Sequence, residues 1–235
     1  MICRMLSVVI PIYNEEELLA SAVRALHARL GTLGRPFEIL LADNGSCDST
    51  YAIANELGRE LRGVRVLRTP APNYGRALRG GIEGAAGDVV ACDEIDLGDI
   101  GFYARALPLI EAGAHLVVGS KRHRESVDDR PWVRRAGTAL MTSLLRLTLG
   151  FRGTDSHGLK MLQREPLLPI VRACRVDHDL FASELVIRTA RAGLDVRELP
   201  LALHEIRPPS VHLWRRVPRV LRDIVRLVYH IRVRG

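Results

Sequence analysis

The segment Leu6–Asp43 reads LSVVIPIY–NEEELLASAVRALHARLG–TLGRP–FEILLAD, and its parts decide the fold class. LSVVIPIY (Leu6–Tyr13) contains a short β-branched run ending in Pro11. The next part (Asn14–Gly31) opens with an Asn and three acids, repeats apolar residues at helical spacing and closes at a glycine, the signature of a capped helix. FEILLAD (Phe37–Asp43) is a second strand. Outward from here the alternation continues. SCDSTYAIANELGRELRG is a helix opened by Ser or Asp, VRVLRT a strand, NYGRALRGGIEGAAG a glycine-loosened helix, DVVACDE a fourth strand and AHLVVGS a fifth. Strands alternating with helices of about 10–15 residues imply βαβ units and a parallel sheet. Strands that are apolar at nearly every position imply a sheet buried on both faces.

After residue 120 the pattern changes. KRHRESVDDRPW is a charged loop, VRRAGTALMTSLLRLTLG a helix, FRGTDSHGLKMLQ a loop running into a strand, DLFASELVIRTARAG a helix and LDVRELPL a strand. No linker splits the 235 residues, a length suited to one large core. No apolar run reaches the length of a membrane span, and the N-terminus enters a strand pattern with no leader-like segment. The four cysteines are scattered without a CxxC pair, which argues against a zinc site or disulfide scaffold and fits a reducing cytoplasm.

The net charge of +7 is concentrated. The last 25 residues hold seven arginines against one acid, Asp223. Val217, Val220, Leu221, Ile224, Val225, Val228 and Ile231 recur there as an apolar stripe opposite the arginines. Such a helix can lie on an anionic membrane surface or pack on its own protein. Few aromatics accompany the basic tail, so no nucleic acid is expected as partner.

In parallel sheets ligands bind beyond the carboxyl ends of the strands. Asp43, the acids of ACDEIDLGD (Ala91–Asp99) and Ser120-Lys121 all fall at such ends. Gly45, just after Asp43, permits a tight turn. The glycines at 75, 80, 81, 84 and 87 do not form GxGxxG after a strand, which disfavours a dinucleotide site.

VVIPIYNEEELL, ILLADNGSCDST, NYGRALRGGIEGAAGDVV and DEIDLGD follow one another in the order and spacing of family 2 glycosyltransferases of the GT-A fold. VVGSKR, RRAGT, DSHGLKML and FASELVIRTARAGLDVRELPL continue the resemblance, which spans residues 6–207 and is most similar to the dolichol/polyprenyl-phosphate mannosyltransferase branch. It implies an α/β GT-A fold with a mostly parallel sheet flanked by helices. Residues 1–210 form the glycosyltransferase domain and 211–235 a basic amphipathic C-terminal helix. The implied activity is inverting transfer from a GDP- or UDP-sugar to a polyprenyl phosphate, by a cytoplasmic protein peripheral to the membrane; a homodimer is compatible with it.

By the same resemblance, Pro11, Tyr13, Glu15, Asp43, Asn44, Gly45, Ser46, Arg76 and Asp93 contact the nucleotide sugar. Glu94 and Asp96 stand at the DxD positions, where a divalent cation, Mg²⁺ or Mn²⁺, neutralises the leaving diphosphate. Lys121 and Arg134 join them as catalytic groups. Lys121, Arg134, Arg135, Thr138, Asp155, His157, Lys160, Glu184 and Arg207 face the acceptor, with His204 and Glu205 beside the last. Asn44, Glu94, Lys121 and Lys160 depart from the family pattern. Lysine gives a point charge where arginine gives a fork.

An alcohol acceptor needs a general base, whereas a phosphate is already anionic. No ED pair followed by QxxRW is present, and the cations Lys121, Arg134, Arg135 and Lys160 are; this favours a phosphate acceptor. Two alternatives stay open. One is transfer to a soluble or secondary-metabolite acceptor with Glu184 or Asp179 as base. The other is a non-catalytic sugar-nucleotide-binding protein, with the four departures as its marks of decay.

Overall fold

The computed structural model describes residues 4–95, 99–128, 132–156, 158–203 and 213–233. The first strand, β1 (Leu6–Ile12), pairs in parallel with β2 (Phe37–Asp43), and β2 in parallel with β3 (Val64–Arg68). On its other side β1 pairs in parallel with β4 (Val89–Cys92). Beyond β4 lie β7 (Lys160–Gln163), β5 (Leu116–Ser120) and β8 (Val196–Pro200). Only β7 runs antiparallel to its neighbours in this seven-stranded sheet of order β3-β2-β1-β4-β7-β5-β8. Two short strands, β6 (Val127–Asp128) and β9 (Ala202–Leu203), form a separate parallel pair; β6 falls within the stretch that reads as a charged loop.

Period-two alternation along the strands sorts their side chains to two cores. Leu6, Val8, Ile10 and Ile12 of β1, with Ile39 and Leu41 of β2, face α1 (Leu19–Gly31), α2 (Thr50–Glu60) and α4 (Ile100–Glu111). Val9 and Leu40 face the opposite way, toward α3 (Tyr74–Gly84), α5 (Trp132–Leu149), α6 (Arg164–Ala173), α7 (Phe181–Arg191) and α8 (Leu213–Arg232). Both faces of the sheet are therefore covered, as the apolar strands require. The glycines that loosen α3 have a packing reason: a Cβ on Gly81 would lie 2.2 Å from a Val9 methyl, so only glycine lets this helix approach β1 so closely.

Local details correct the sequence reading. Asn14 does not cap α1; it adopts a left-handed φ of 53°, and the helix begins at Leu19. Its amide instead reaches across to the turn after β2, where Oδ1 accepts from Cys47 N–H at 2.9 Å. The caps of α3 and α4 are Asn73 and Asp99, which accept from Arg76 N–H and Phe102 N–H, each at 3.0 Å. The apolar stripe on α8 is not one stripe. Ile224, Leu227 and Ile231 are buried with Leu145 and Leu149 of α5, whereas Val225 points outward. Helix α8 thus shares the core of the rest of the chain. No helix is long and apolar enough to cross a membrane among the described residues.

Candidate active site

The carboxyl ends of β1, β2, β4 and β5 converge on one edge of the sheet. At the first two, loops are stitched together by side chains. Ser46 Oγ accepts from Asn14 N–H at 3.1 Å, and Thr50 Oγ1 from Glu15 N–H at 2.7 Å. Gly45 holds φ at 72° against the Ala71–Pro72 backbone, and Asn44 Oδ1 accepts from Asn73 N–H. Pro11 lies within β1, and Tyr13, just past it, is exposed.

Asp43 is fully buried at the end of β2. Its Oδ1 accepts from Ser46 N–H at 3.3 Å. Its Oδ2 lies 3.3 Å from Arg68 Nε, off the line of a hydrogen bond, and finds no donor among the described residues. Arg68 is the residue paired with Asp43 in the β2–β3 register, and its guanidinium sits 4.1 Å over the Tyr51 ring. A buried carboxylate oxygen without a donor is costly unless something supplies one, and this oxygen has room in its bonding for an N–H. Sequence reading passes over Arg68; the signal is its position at the end of the strand beside β2. Arg76, expected near a diphosphate, pairs instead with Asp177, Nε to Oδ2 at 3.0 Å.

At the end of β4 the acids separate. Asp93 turns inward and is buried; Oδ1 accepts from Glu94 N–H at 2.7 Å and Oδ2 from the Tyr103 hydroxyl of α4. Burial pushes its carboxyl up to about 7, against the Tyr103 and Glu94 hydrogen bonds. Asp93 is therefore a framework residue and not a surface for the nucleotide sugar. Glu94 is half-buried beyond it, and Asp96 lies outside the described residues.

Beside them, Lys160 of β7 is buried and donates Nζ–H to Gly158 C=O at 2.7 Å. Burial lowers its pKa, while Cys92, Asp155 and Glu94 pull the other way. Asp155, also buried, accepts from Lys121 N–H at 3.2 Å and so fixes the loop after β5. That loop and α5 enclose a cavity of about 470 Å³, lined by Lys121, Arg122, His123, Ser126, Arg135, Ala136 and Ala139. Among the described residues, no carboxylate lines it. Thr138 lies one turn along the same helix, its carbonyl accepting from the Thr142 hydroxyl at 2.9 Å.

The structure corrects the expectation for Glu184. It is fully buried in the first turn of α7, where it accepts from Arg175 N–H at 2.8 Å, Val176 N–H at 2.6 Å and Arg188 Nε at 2.7 Å. With both oxygens engaged it ties α7 to the preceding loop and is not free to take a proton or an acceptor. His157, His204, Glu205 and Arg207 lie outside the described residues, as do the side chains of Arg134 and Asp179.

Residues 7–168 match the family described as Glycosyl transferase family 2. The chain is a family 2 glycosyltransferase. An uncharacterized glycosyltransferase of Mycobacterium bovis is 31% identical over 197 residues, 83% of this chain and 84% of that protein. An undecaprenyl-phosphate 4-deoxy-4-formamido-L-arabinose transferase of an Enterobacter species is 27% identical over 195 residues, 81% of this chain and 58% of that one. Among solved structures, glucosyl-3-phosphoglycerate synthase of Mycobacterium tuberculosis, in complex with Mn²⁺, UDP and phosphoglyceric acid, superposes with a TM-score of 0.70. It is 22% identical, with coverage of 96% of this chain and 78% of that chain, and this likeness shows the fold. The glycosyltransferase thus has the α/β GT-A architecture, its sheet ends carrying the residues described above.

Proposed function

We propose that this glycosyltransferase moves a sugar, with inversion, from a nucleoside-diphosphate sugar to a phosphate-bearing acceptor, and that the acceptor is a polyprenyl phosphate. The observation that carries the reading is the cavity at the end of β5, lined by Lys121, Arg122, His123 and Arg135, with no carboxylate among the described residues. A site of that charge suits a group that arrives as an anion. The name of the Enterobacter relative, an undecaprenyl-phosphate sugar transferase, supports a lipid phosphate.

On the donor side, the base offers an N–H to Asp43 Oδ2 and a carbonyl to Arg68, with Tyr13 alongside. Glu94 and Asp96 would hold a divalent cation, Mg²⁺ or Mn²⁺. Their oxygen donors suit a hard cation, while Asp93 is withdrawn by Tyr103. With Glu94 and Asp96 as its protein ligands, the diphosphate of the donor would complete the shell. When bound, the cation neutralises the leaving diphosphate.

Lys121 and Arg135 hold the acceptor phosphate, and Lys160 sets positive charge behind the reacting groups. An acceptor oxygen, already ionised, attacks the anomeric carbon as the bond to the diphosphate breaks, and no general base is needed. Positioning and charge compensation supply the catalysis. The satisfied state of Glu184 removes one of the two bases an alcohol acceptor could use.

The test supplies UDP- and GDP-sugars with Mg²⁺ or Mn²⁺ and one of three acceptors: a short polyprenyl phosphate, a soluble phosphorylated acceptor or an alcohol. Diphosphate release with the polyprenyl phosphate is expected. Release with the alcohol alone overturns the phosphate reading, and release only with the soluble phosphate overturns the lipid part of it. A raised cation requirement is expected in Glu94→Gln and Asp96→Asn, and unchanged metal dependence in both overturns the cation ligands.

A further inference from the structure

Helices α5 and α8 lie on the same core, with Leu145 and Leu149 of one against Ile224, Leu227 and Ile231 of the other. Their carboxyl ends meet at one guanidinium: Arg191 donates to Leu149 C=O and to Ile231 C=O, each at 3.1 Å. Their outer sides are the ones turned away from this shared core. On those sides both helices carry exposed apolar residues. Leu140 is 72% and Leu147 82% exposed on α5. On α8, Val225 and Val233 are each 68% exposed, with the exposed Tyr229 between them at helical spacing. Among the described residues, the exposed charged side chains of the two helices share one sign. Arg135, Arg222, Arg226 and Arg232 are exposed, whereas Asp223, the only acid in either helix, is buried. The α5 stripe also leads away from the basic cavity, for Ala136 lines the cavity and Leu140 stands one turn further on.

We propose that the outer faces of α5 and α8 together seat on an anionic lipid bilayer, with the mouth of the cavity at its surface. The proposal rests on the acceptor reading above in one respect, that the phosphate held beside Lys121 then belongs to a lipid. Exposed leucines and valines flanked by arginines suit a bilayer interface, where apolar side chains enter the acyl boundary and arginines meet anionic headgroups. A second copy of the chain suits this face less. A two-fold contact would set Arg222, Arg226 and Arg232 against their own counterparts with no exposed acid on either helix to pair them. A nucleic acid would meet the arginines but leave Leu140 and Leu147 in water.

The test is co-sedimentation of the full chain with phosphatidylcholine vesicles, with and without phosphatidylglycerol and free of any polyprenyl phosphate. The protein is expected to sediment with the anionic vesicles and to be released by salt. Leu140→Asp with Leu147→Asp, and separately Arg222→Glu with Arg226→Glu, are expected to weaken that binding by about tenfold or more. Melting temperature and nucleoside-diphosphate binding should stay at wild-type values in both. Wild-type protein left in the supernatant, or variants that sediment as the wild type does, would overturn the proposal. So would a dimer in light scattering that the Leu140/Leu147 variant splits. Transfer to a soluble phosphorylated acceptor without vesicle binding sinks this surface and leaves the cavity reading intact. Vesicle binding with transfer only to an alcohol supports the surface and sinks the acceptor reading.

Discussion

The Tyr103 hydroxyl of α4 donates to Asp93 Oδ2 at the end of β4, while Asp93 Oδ1 holds the N–H of Glu94. One buried carboxylate thus fastens the first half of the acidic turn to the helix behind it, and Asp99 fastens the far end by capping the same helix. Tyr103→Phe removes the hydroxyl and leaves a buried carboxylate oxygen without its donor. The expected cost is about 1–3 kcal/mol of stability. The Tyr103 hydrogen bond also lowers a carboxyl that burial has pushed up to about 7, so its loss should raise Asp93 further. With the turn loosened, the cation concentration for half-maximal activity should rise while metal-free nucleotide binding stays constant. A fall in both together would show that Tyr103 acts on the whole fold and not on this turn.

Asp43→Asn tests the donor corner. The variant keeps the size of the side chain but loses the charge that faces Arg68 and the oxygen that lacks a donor. A hydrogen bond to a charged group is worth about 1.5–3 kcal/mol, so nucleoside-diphosphate affinity should fall by about tenfold or more in calorimetric titration. Unchanged affinity would remove Asp43 from the site.

Lys121→Ala and Arg135→Ala test the basic cavity. Each removes one cation from a lining with no acid among its described residues. The KM for a phosphorylated acceptor is expected to rise about tenfold or more in each, with donor binding unaffected. Arg135→Lys should restore less than full affinity, because an ammonium cannot reproduce the two-pronged contact of a guanidinium.

The sheet was legible because its strands are apolar on both sides and end in charged residues. That is why Asp43, Glu94 and Lys121 could be placed at strand ends before any coordinates. Helices α4 and α6 were harder to read, since Pro108 and Pro169 lie inside them and break the usual helical signature. Contacts between distant segments left still less trace. Asn14 reads as a helix cap, yet its side chain satisfies the backbone of Cys47 in another loop. Glu184 reads as an acceptor residue, yet tertiary packing surrounds it with donors. Val225 falls one position from Ile224 in sequence, but about 100° away around the helix, on the opposite side of the packing line. Neighbouring roles in a sequence motif therefore diverged once the side chains had to find partners in three dimensions.

Glu38, far from the site, gives the fold a pH dependence of known sign. It is buried in β2, where it accepts from the Ser7 hydroxyl and Ala86 N–H, each at 2.6 Å, and from Arg65 at 2.8 Å. Burial alone would raise its pKa, but these donors outweigh burial and hold it below its ordinary value of 4.5. A folded pKa below the unfolded one contributes stability above the unfolded value, and that stability drains away as pH falls through the folded one. Glu38→Gln should therefore cost about 1–3 kcal/mol near neutrality, a drop of several degrees in melting temperature for a chain of this size. The gap between variant and wild type should narrow as pH is lowered below 4.5, because the wild-type carboxyl then gains a proton and loses the same advantage. Thermal unfolding across that range decides the matter: a gap that stays constant with pH would mean that the charge of Glu38 contributes nothing beyond its shape.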